Sequence, residues 1–361
     1  MAALTKLSAL ISILTVITSA QALYSVPNGK CSDVLLPVSV TAQNAVLNIT
    51  APHNQQELTD FIAQFTSLTS NSTTQIIGAP VTNNATYKIW TELCLPTKQD
   101  TANTVEFAVH GINFDHTYWN FGGPGSKYNY VDSALKAGHA ILIYDRLGRT
   151  GKSDKPDGIK EVQTATEVEI AAQLVTFLRG NPFGSRFNRI IGIGHSYGSV
   201  QLIGMLGKYG NLLDATIITA SGQNPKRFGA LPSSYIATQG IINDQQVFFR
   251  FGNYDPALLK AAEAGKATAT LGEVITQGAG PAANYTNPVF VVTGDKDYIF
   301  CGGNCYQAVN NFTNLVDFTK VVFPGVSNFS TFIPAETGHG VNLHLSAPQV
   351  YSKIQEWIAQ L

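Results

Sequence analysis

Charge is scarce in this 361-residue chain. Lysine, arginine, aspartate and glutamate together make up 13%, and they cancel to a formal net charge of −1. No basic field exists to attract a polyanion, which excludes nucleic acid as a partner. Long apolar runs are missing too. After residue 22 nothing approaches the roughly 18 uninterrupted apolar residues of a membrane-spanning helix. Internal repeats and low-complexity linkers are absent. Cysteine is limited to four residues, and Cys301-x-x-x-Cys305 has no second close Cys/His pair beside it, so no metal site is expected.

What is present points to export. Residues 1–22 read as a secretory signal: Lys6 supplies the positive start, Leu7 to Ala20 the apolar run, and Ala20-Gln21-Ala22 the small-residue cleavage site. An uncleaved membrane anchor is the alternative, and the cleavage site behind the run disfavours it. Asn-x-Ser/Thr acceptors occur at Asn48, Asn71, Asn84, Asn284, Asn311 and Asn328, none with proline in the middle. The four cysteines, Cys31, Cys94, Cys301 and Cys305, suit an oxidising compartment. They allow three pairings. The reading favours Cys301–Cys305 as a short local loop and Cys31–Cys94 as a staple of the N-terminal segment. The chain is therefore expected to be a secreted, disulfide-bonded glycoprotein, with no membrane span once the signal is cleaved. Nothing in the sequence speaks to its oligomeric state.

Residues 23–85 read as a prelude with a helical pattern from about Gln55 to Phe65. From Thr86 onward apolar strands alternate with helical stretches, the pattern of a mostly parallel sheet covered on both faces. Strands are expected at Tyr87 to Leu95, Thr104 to Val109, Ala140 to Asp145, Arg189 to Gly194, Ala215 to Ala220 and Val289 to Thr293. A last strand is expected at Val321-Val322 or Thr331 to Ile333. Thr164-x-x-Glu167 reads as a capping box opening a helix through Leu178. Pro348 to Leu361 places Val350, Ile354, Trp357, Ile358 and Leu361 on one helical face.

Four stretches carry chemistry. The first is Gly194-His195-Ser196-Tyr197-Gly198, between an apolar strand and a helix. A serine on so sharp a turn needs small flanking residues, and the helix behind it turns amides toward developing negative charge. The second is His110-Gly111 at a strand end, whose following amide, Ile112, would join that of Tyr197 in an oxyanion hole. The third is Gly294-Asp295-Lys296-Asp297 after a buried strand. The fourth is Gly338-His339-Gly340 near the C-terminus. A serine needs a base to activate it, and the base needs a carboxylate to fix its tautomer.

Together these stretches resemble an α/β-hydrolase-fold serine hydrolase of the branch with a His-Gly oxyanion loop, over residues from about Thr86 to Leu361. The resemblance implies an α/β-hydrolase fold: a mostly parallel central sheet, helices on both faces and a mainly helical cap insertion. It divides the chain into core residues 86–221, a cap at 222–285 and further core at 286–361. It implies a triad of Ser196, Asp297 and His339, with Asp295 the alternative acid and His344 the competing histidine. His195 is expected to pack rather than react. Trp119, Tyr235, Phe248 and Phe251 are the expected pocket residues, with His116 beside them. The loop Asp145-Arg146-Leu147-Gly148-Arg149-Thr150-Gly151-Lys152-Ser153 resembles the family's Asp-x-x-Gly-x-Gly-x-Ser loop with one extra residue, and is expected to brace the floor of the site. Its Gly-Lys-Ser ending imitates a phosphate-binding loop, but position 146 is arginine where that loop needs its first glycine.

The implied reaction is acyl transfer to water on a small-molecule substrate, without cofactor or metal. Serine at the elbow argues against relatives that attack carbon with an aspartate. Hydrolysis of an ester or lactone is the first choice. A proline-iminopeptidase-like exopeptidase is the second, and would need cap acids such as Glu263, Asp244 or Asp255 to bind a substrate ammonium. A lyase is a third, and a non-catalytic secreted binding protein on the same fold stands against all of them. An imidazole base must be neutral to act, so activity is expected to fall below roughly pH 6. A flat pH–rate profile into strong acid would contradict that.

Overall fold

Valine and isoleucine dominate the segments that form the middle of the molecule. A computed structural model describes residues 23–65, 75–148, 152–180, 187–220, 234–238 and 240–361. The expected signal at 1–22, the acceptor Asn71, loop residues 149–151 and cap residues 222–233 lie outside the described residues. The strands are β1 (Tyr24–Val26), β2 (Gly29–Leu47), β3 (Ile77–Pro96), β4 (Thr104–Val109), β5 (Ala140–Tyr144), β6 (Arg189–His195), β7 (Ala215–Thr219), β8 (Tyr235–Ile236), β9 (Ala269–Thr270), β10 (Val289–Val292) and β11 (Phe329–Phe332). Nine of them form one sheet in the order β1-β2-β3-β5-β4-β6-β7-β10-β11. From β5 to β11 every pairing is parallel.

Strands buried on both faces must be covered on both. Along β4, Val105, Phe107 and Val109 join the cluster under helices Thr164–Arg179 and Tyr197–Tyr209. Ala108 points the other way, to helices Tyr130–Ala137 and Ala347–Ile358. In the last helix Val350, Ile354, Trp357 and Ile358 are buried as the periodicity requires, whereas Leu361 lies past its end and is exposed.

The N-terminal region departs from the sequence reading. β3 starts at Ile77 and runs across position 85, where the prelude was expected to end, and it pairs antiparallel with β2 along nearly its whole length. One face of β2 is buried at Val38, Val40, Ala42 and Asn44. The other carries polar cross-strand pairs, Ser39 with Thr86 at 2.8 Å and Gln43 with Thr82 at 3.0 Å. This half-polar alternation is how an antiparallel edge faces water.

Of the two candidates for the last strand, Val321-Val322 belongs to a 3₁₀ turn, and the strand is Phe329–Phe332, overlapping the expected Thr331 to Ile333. One further expectation fails locally. Thr164 forms no capping box. The N-cap is Gln163, whose side chain bonds both the amide and the carbonyl of Ala45 at 2.8 Å, and Glu167 turns away to accept the Leu147 amide at 3.1 Å. A reciprocal capping box occurs instead at Thr270 and Glu273, opening helix Leu271–Thr276.

Both favoured disulfides are present, Cys31–Cys94 and Cys301–Cys305. Cys31 and Cys94 stand directly opposite each other on β2 and β3. Their bond closes a loop with a sequence separation of 63, so opening it returns much chain entropy to the unfolded state. Replacing both by alanine is expected to lower stability by about 2–4 kcal/mol. Equilibrium denaturation of the double variant checks this; an unchanged midpoint would contradict it.

Candidate active site

Ser196 sits where β6 stops and helix Tyr197–Tyr209 starts. Its backbone is at φ 53°, ψ −118°, a conformation that costs a non-glycine residue about 1–3 kcal/mol. Neighbouring backbone holds it there. The Ser196 amide donates to Thr219 O at 3.0 Å, and the Ser199 amide donates back to Ser196 O at 2.8 Å. Close approach explains the glycines. A Cβ on Gly198 would lie 2.1 Å from Val109 O, and one on Gly111 would lie 2.9 Å from Ser196 Cβ. The elbow is thus pressed against the strand end that carries His110-Gly111. Tyr197 is the first residue of its helix, so its amide has no acceptor within that helix.

The acid and the base arrive from the same edge of the sheet, after β10 and β11. Asp297 divides its carboxylate: Oδ1 accepts the Phe300 amide at 2.9 Å, and Oδ2 accepts His339 Nδ1–H at 2.9 Å. Both side chains are fully buried. With Nδ1 engaged, the lone pair of His339 is on Nε2, which is buried and has no hydrogen-bond partner. The His339 ring lies 5.2 Å from that of His195, the residue before Ser196. Phe248 and Phe300 flank it at 5.8 and 5.3 Å.

The competing residues have other work. Asp295 accepts the Thr337 amide at 3.0 Å and faces Lys296 Nζ at 3.3 Å, so it braces the loop that carries His339. His344 accepts the amides of Arg250 at 2.8 Å and Gly338 at 3.1 Å on Nε2, and donates from Nδ1 to Gly340 O at 2.9 Å. Burial pulls its pKa down to about 4. His195 stacks on Tyr118 with ring centres 4.1 Å apart, its Nδ1 3.1 Å from Tyr118 Oη. Burial, with His339 and His110 nearby, holds it well below the usual imidazole range. Tyr118 in turn accepts the Asn342 amide at 3.3 Å, tying the elbow to the histidine loop. Nothing in the sequence marked Tyr118 or Asn342.

The His110-Gly111 loop is fixed from behind. His110 donates from Nδ1 to Gly111 O at 2.9 Å and accepts the Arg146 amide on Nε2 at 3.2 Å. Burial, reinforced by the Arg146 charge, lowers its pKa to about 3, so it is neutral. Asn113, with φ 72°, accepts the Thr238 amide at 3.1 Å and donates to Asp244 at 3.2 Å, which joins this loop to the cap.

Of the expected pocket residues, only Phe248 is beside the imidazole. Trp119 is fully buried between Tyr118 and Tyr130 and belongs to the core. Phe251 is 73% exposed and Tyr235 lies on the Asp145 loop, donating to Pro156 O at 2.5 Å. Aromatic side chains in an apolar cap read alike in sequence, whichever way they turn. His116 is also elsewhere. Its Nδ1 lies 2.8 Å from Asp145 Oδ1 and its Nε2 3.1 Å from Lys152 Nζ. Asp115, His116 and Asp145 are close enough to share a metal ion, but the lysine ammonium already supplies a cation there. The other such group, Cys31, Glu92 and Cys94, has its sulfurs in a disulfide.

Because neutral His344 ties the His339 loop to Arg250, its protonation must break those bonds. The folded pKa lies below the ordinary imidazole value of about 6.5. Its stabilising contribution is therefore complete above pH 6.5 and lost as pH falls from there to about 4. His344→Gln is expected to be less stable than the parent at pH 8 and to lose less stability over that acid span, by up to one proton's worth of slope. Parallel slopes in denaturation at graded pH would contradict this.

The model of the Alpha/beta hydrolase family matches residues 107–353. No curated protein matches the chain in sequence. A bromoperoxidase from Bacillus anthracis superposes with a TM-score of 0.51 at 17% identity, covering 76% of this chain and 95% of its own. A monoacylglycerol lipase from Paleococcus ferrophilus gives 0.53 at 13% identity, with 76% and 99% covered. A thermophilic esterase from Thermogutta terrifontis gives 0.50 at 14%, with 76% and 94% covered. At such identities the likeness is one of fold.

Proposed function

The chain belongs to the alpha/beta hydrolase family, and from that premise we propose that it is a serine hydrolase cleaving a carboxylic ester or lactone of an apolar small molecule. One observation carries the reading: His339 gives its Nδ1–H to a fully buried carboxylate and keeps an unclaimed Nε2 on the sheet edge that holds the strained Ser196. In the mechanism, Nε2 takes the Ser196 proton while Oγ attacks the carbonyl carbon. The amides of Tyr197 and Ile112 receive the charge on the carbonyl oxygen. Nε2–H then protonates the leaving alkoxide, and water repeats the sequence on the acyl-enzyme. The bond from Ser196 to His339 Nε2 is not formed in this conformation; such bonds often tighten only around bound substrate. Phe248 and Phe300 beside the imidazole favour an apolar substrate.

The reading includes secretion. Asn48, Asn84, Asn284, Asn311 and Asn328 are all exposed, as glycan attachment requires, and two disulfides suit an oxidising compartment. Among the described residues no helix is long and apolar enough to cross a membrane.

A second reading, exopeptidase, draws on the cap acids. Asp255 caps its own helix and Glu263 pairs with Lys266 at 2.8 Å. Asp244, however, is buried beside Asn113, and burial together with a hydrogen bond to Glu263 pushes its pKa up to about 7. No local pattern marks this pairing in the sequence. A carboxyl pair whose Asp244 is bonded to Asn113, the residue after Ile112, is where a substrate ammonium would be received. Turnover of aminoacyl p-nitroanilides above that of p-nitrophenyl esters, lost in Asp244→Asn, would favour the exopeptidase.

Ser196 is expected to react with a fluorophosphonate probe, and Ser196→Ala to lose the label entirely. Asp297→Asn should lower kcat on p-nitrophenyl butyrate by about 10⁴-fold, because the amide fixes the wrong tautomer. Asp295→Asn should leave most of the activity. Labelling at another residue, or none in the parent protein, would overturn the assignment and leave a binding protein on the fold.

A further inference from the structure

Among the described residues, the Gly111–Ile112 peptide is hydrogen-bonded from its carbonyl side only. Its carbonyl accepts His110 Nδ1–H at 2.9 Å and Arg146 Nη2–H at 3.3 Å. A trans peptide is planar, with its C=O and N–H pointing in opposite directions. Two donors on the Gly111 carbonyl therefore aim the Ile112 N–H away from Arg146, and they polarise the amide so that it donates more strongly. Gly111 itself packs against Ser196. The same guanidinium lies 4.9 Å from the ring centre of Tyr197, whose amide is the other oxyanion donor. Arg146 thus touches the residues on both sides of the expected oxyanion hole while remaining outside it.

Its charge is balanced from the cap. Arg146 Nη1 is hydrogen-bonded to Glu273, the residue that closes the capping box of helix Leu271–Thr276. Glu167 lies beside it, accepting the amide of Leu147, the next residue in the chain. All three side chains are buried. Burying a guanidinium and two carboxyl groups carries a large desolvation penalty before pairing, and an apolar plug would fill the space at least as stably. A floor brace alone does not account for this choice of residues.

We propose that Arg146 is a positioning residue of the oxyanion hole, which holds the Gly111–Ile112 peptide in its donating orientation and, through Glu273, makes that orientation depend on a seated cap. The inference rests on the serine-hydrolase reading. It predicts a transition-state defect rather than a binding defect, since the hole is occupied only by a charged oxygen.

The test uses full-length protein, p-nitrophenyl butyrate, and an alkyl trifluoromethyl ketone whose serine adduct carries the oxyanion. Arg146→Met is expected to lower kcat by about 10²-fold, as loss of one oxyanion donor does, with KM roughly unchanged. The inhibition constant of the ketone should rise in step with the fall in kcat. Glu273→Gln, which keeps Arg146 but removes its charged partner, should move kcat and ketone affinity in the same direction by less. Folded Arg146→Met with unchanged kcat and ketone affinity would overturn the proposal, as would a change in KM alone. Should Arg146→Met not fold, Glu273→Gln decides, and unaltered ketone affinity there overturns it equally. Parent protein inert to the fluorophosphonate would sink the underlying reading and this inference with it. Reactive parent protein with unaffected variants sinks the inference alone.

Discussion

The close approach of two backbones governs this molecule: the start of helix Tyr197–Tyr209 rests on the end of β4 with no room for a side chain at Gly198. β4 and β6 are hydrogen-bonded neighbours in the sheet, so where one ends the other must turn. That turn forces Ser196 into its unfavourable backbone angles, and the sheet around it supplies the energy to hold them. Strain of this kind persists only where the surroundings over-determine it. Here the Thr219 carbonyl fixes the Ser196 amide from the neighbouring strand, while Gly111 closes the other side. The placement of Ser196 and that of the His110-Gly111 strand end are therefore consequences of a single packing constraint, and neither moves without the other.

Histidine shows how partners separate roles that the sequence leaves open. His110 and His344 have both ring nitrogens engaged with backbone groups, so neither is available as a base. His195 keeps a free Nε2, but its Nδ1 faces hydroxyls rather than a carboxylate. His116 has a carboxylate on Nδ1 and a lysine on Nε2. His139 pairs with Glu106, but it stands at the start of β5, away from the strand ends where Ser196 lies. Only His339 among these combines a buried carboxylate on Nδ1, an unclaimed Nε2 and a place on the same sheet edge as Ser196. The Gly-His-Gly stretch drew attention to it in the sequence, whereas the tautomer argument needed coordinates.

What was legible in the sequence follows from range. Strands β4 to β7 and β10 were visible because both of their faces are buried, which leaves continuous apolar runs. The elbow was visible because sterics demand glycine at fixed offsets. β2 and the first half of β3 were not, because polar residues on their outer face interrupt the apolar pattern, whereas the second half of β3 was expected at Tyr87 to Leu95. Thr164-x-x-Glu167 misled for a different reason: the tertiary bond from Glu167 to the Leu147 amide outcompeted the local cap. Arg146 and Glu273 are separated by 127 positions, and no local pattern announces such a pair. Trp119 and Phe251 fail for the same reason, since an aromatic residue's chemistry does not say which way its backbone turns it.

The cap contacts finally change what the cap is. Its polar bonds converge on the segments that flank the reaction centre: Thr238 and Asp244 on Asn113, Glu273 on Arg146, Thr268 on Gly148, and the Arg250 amide on His344. The Gly340 amide returns a bond to Phe248 O at 2.8 Å. A cap that merely covered a finished site would meet it through apolar contacts that slide. Directional bonds to buried backbone and charge do not slide, and breaking one strands a polar group where water cannot replace the partner. The core supplies the serine, the carboxylate and the imidazole, but the orientation of the His110-Gly111 loop and of the His339 loop is shared with the cap. On the proposed hydrolase reading, substrate recognition by the cap and alignment of the reacting groups become one mechanical problem, and a substrate that unseats the cap would also misalign the groups meant to act on it.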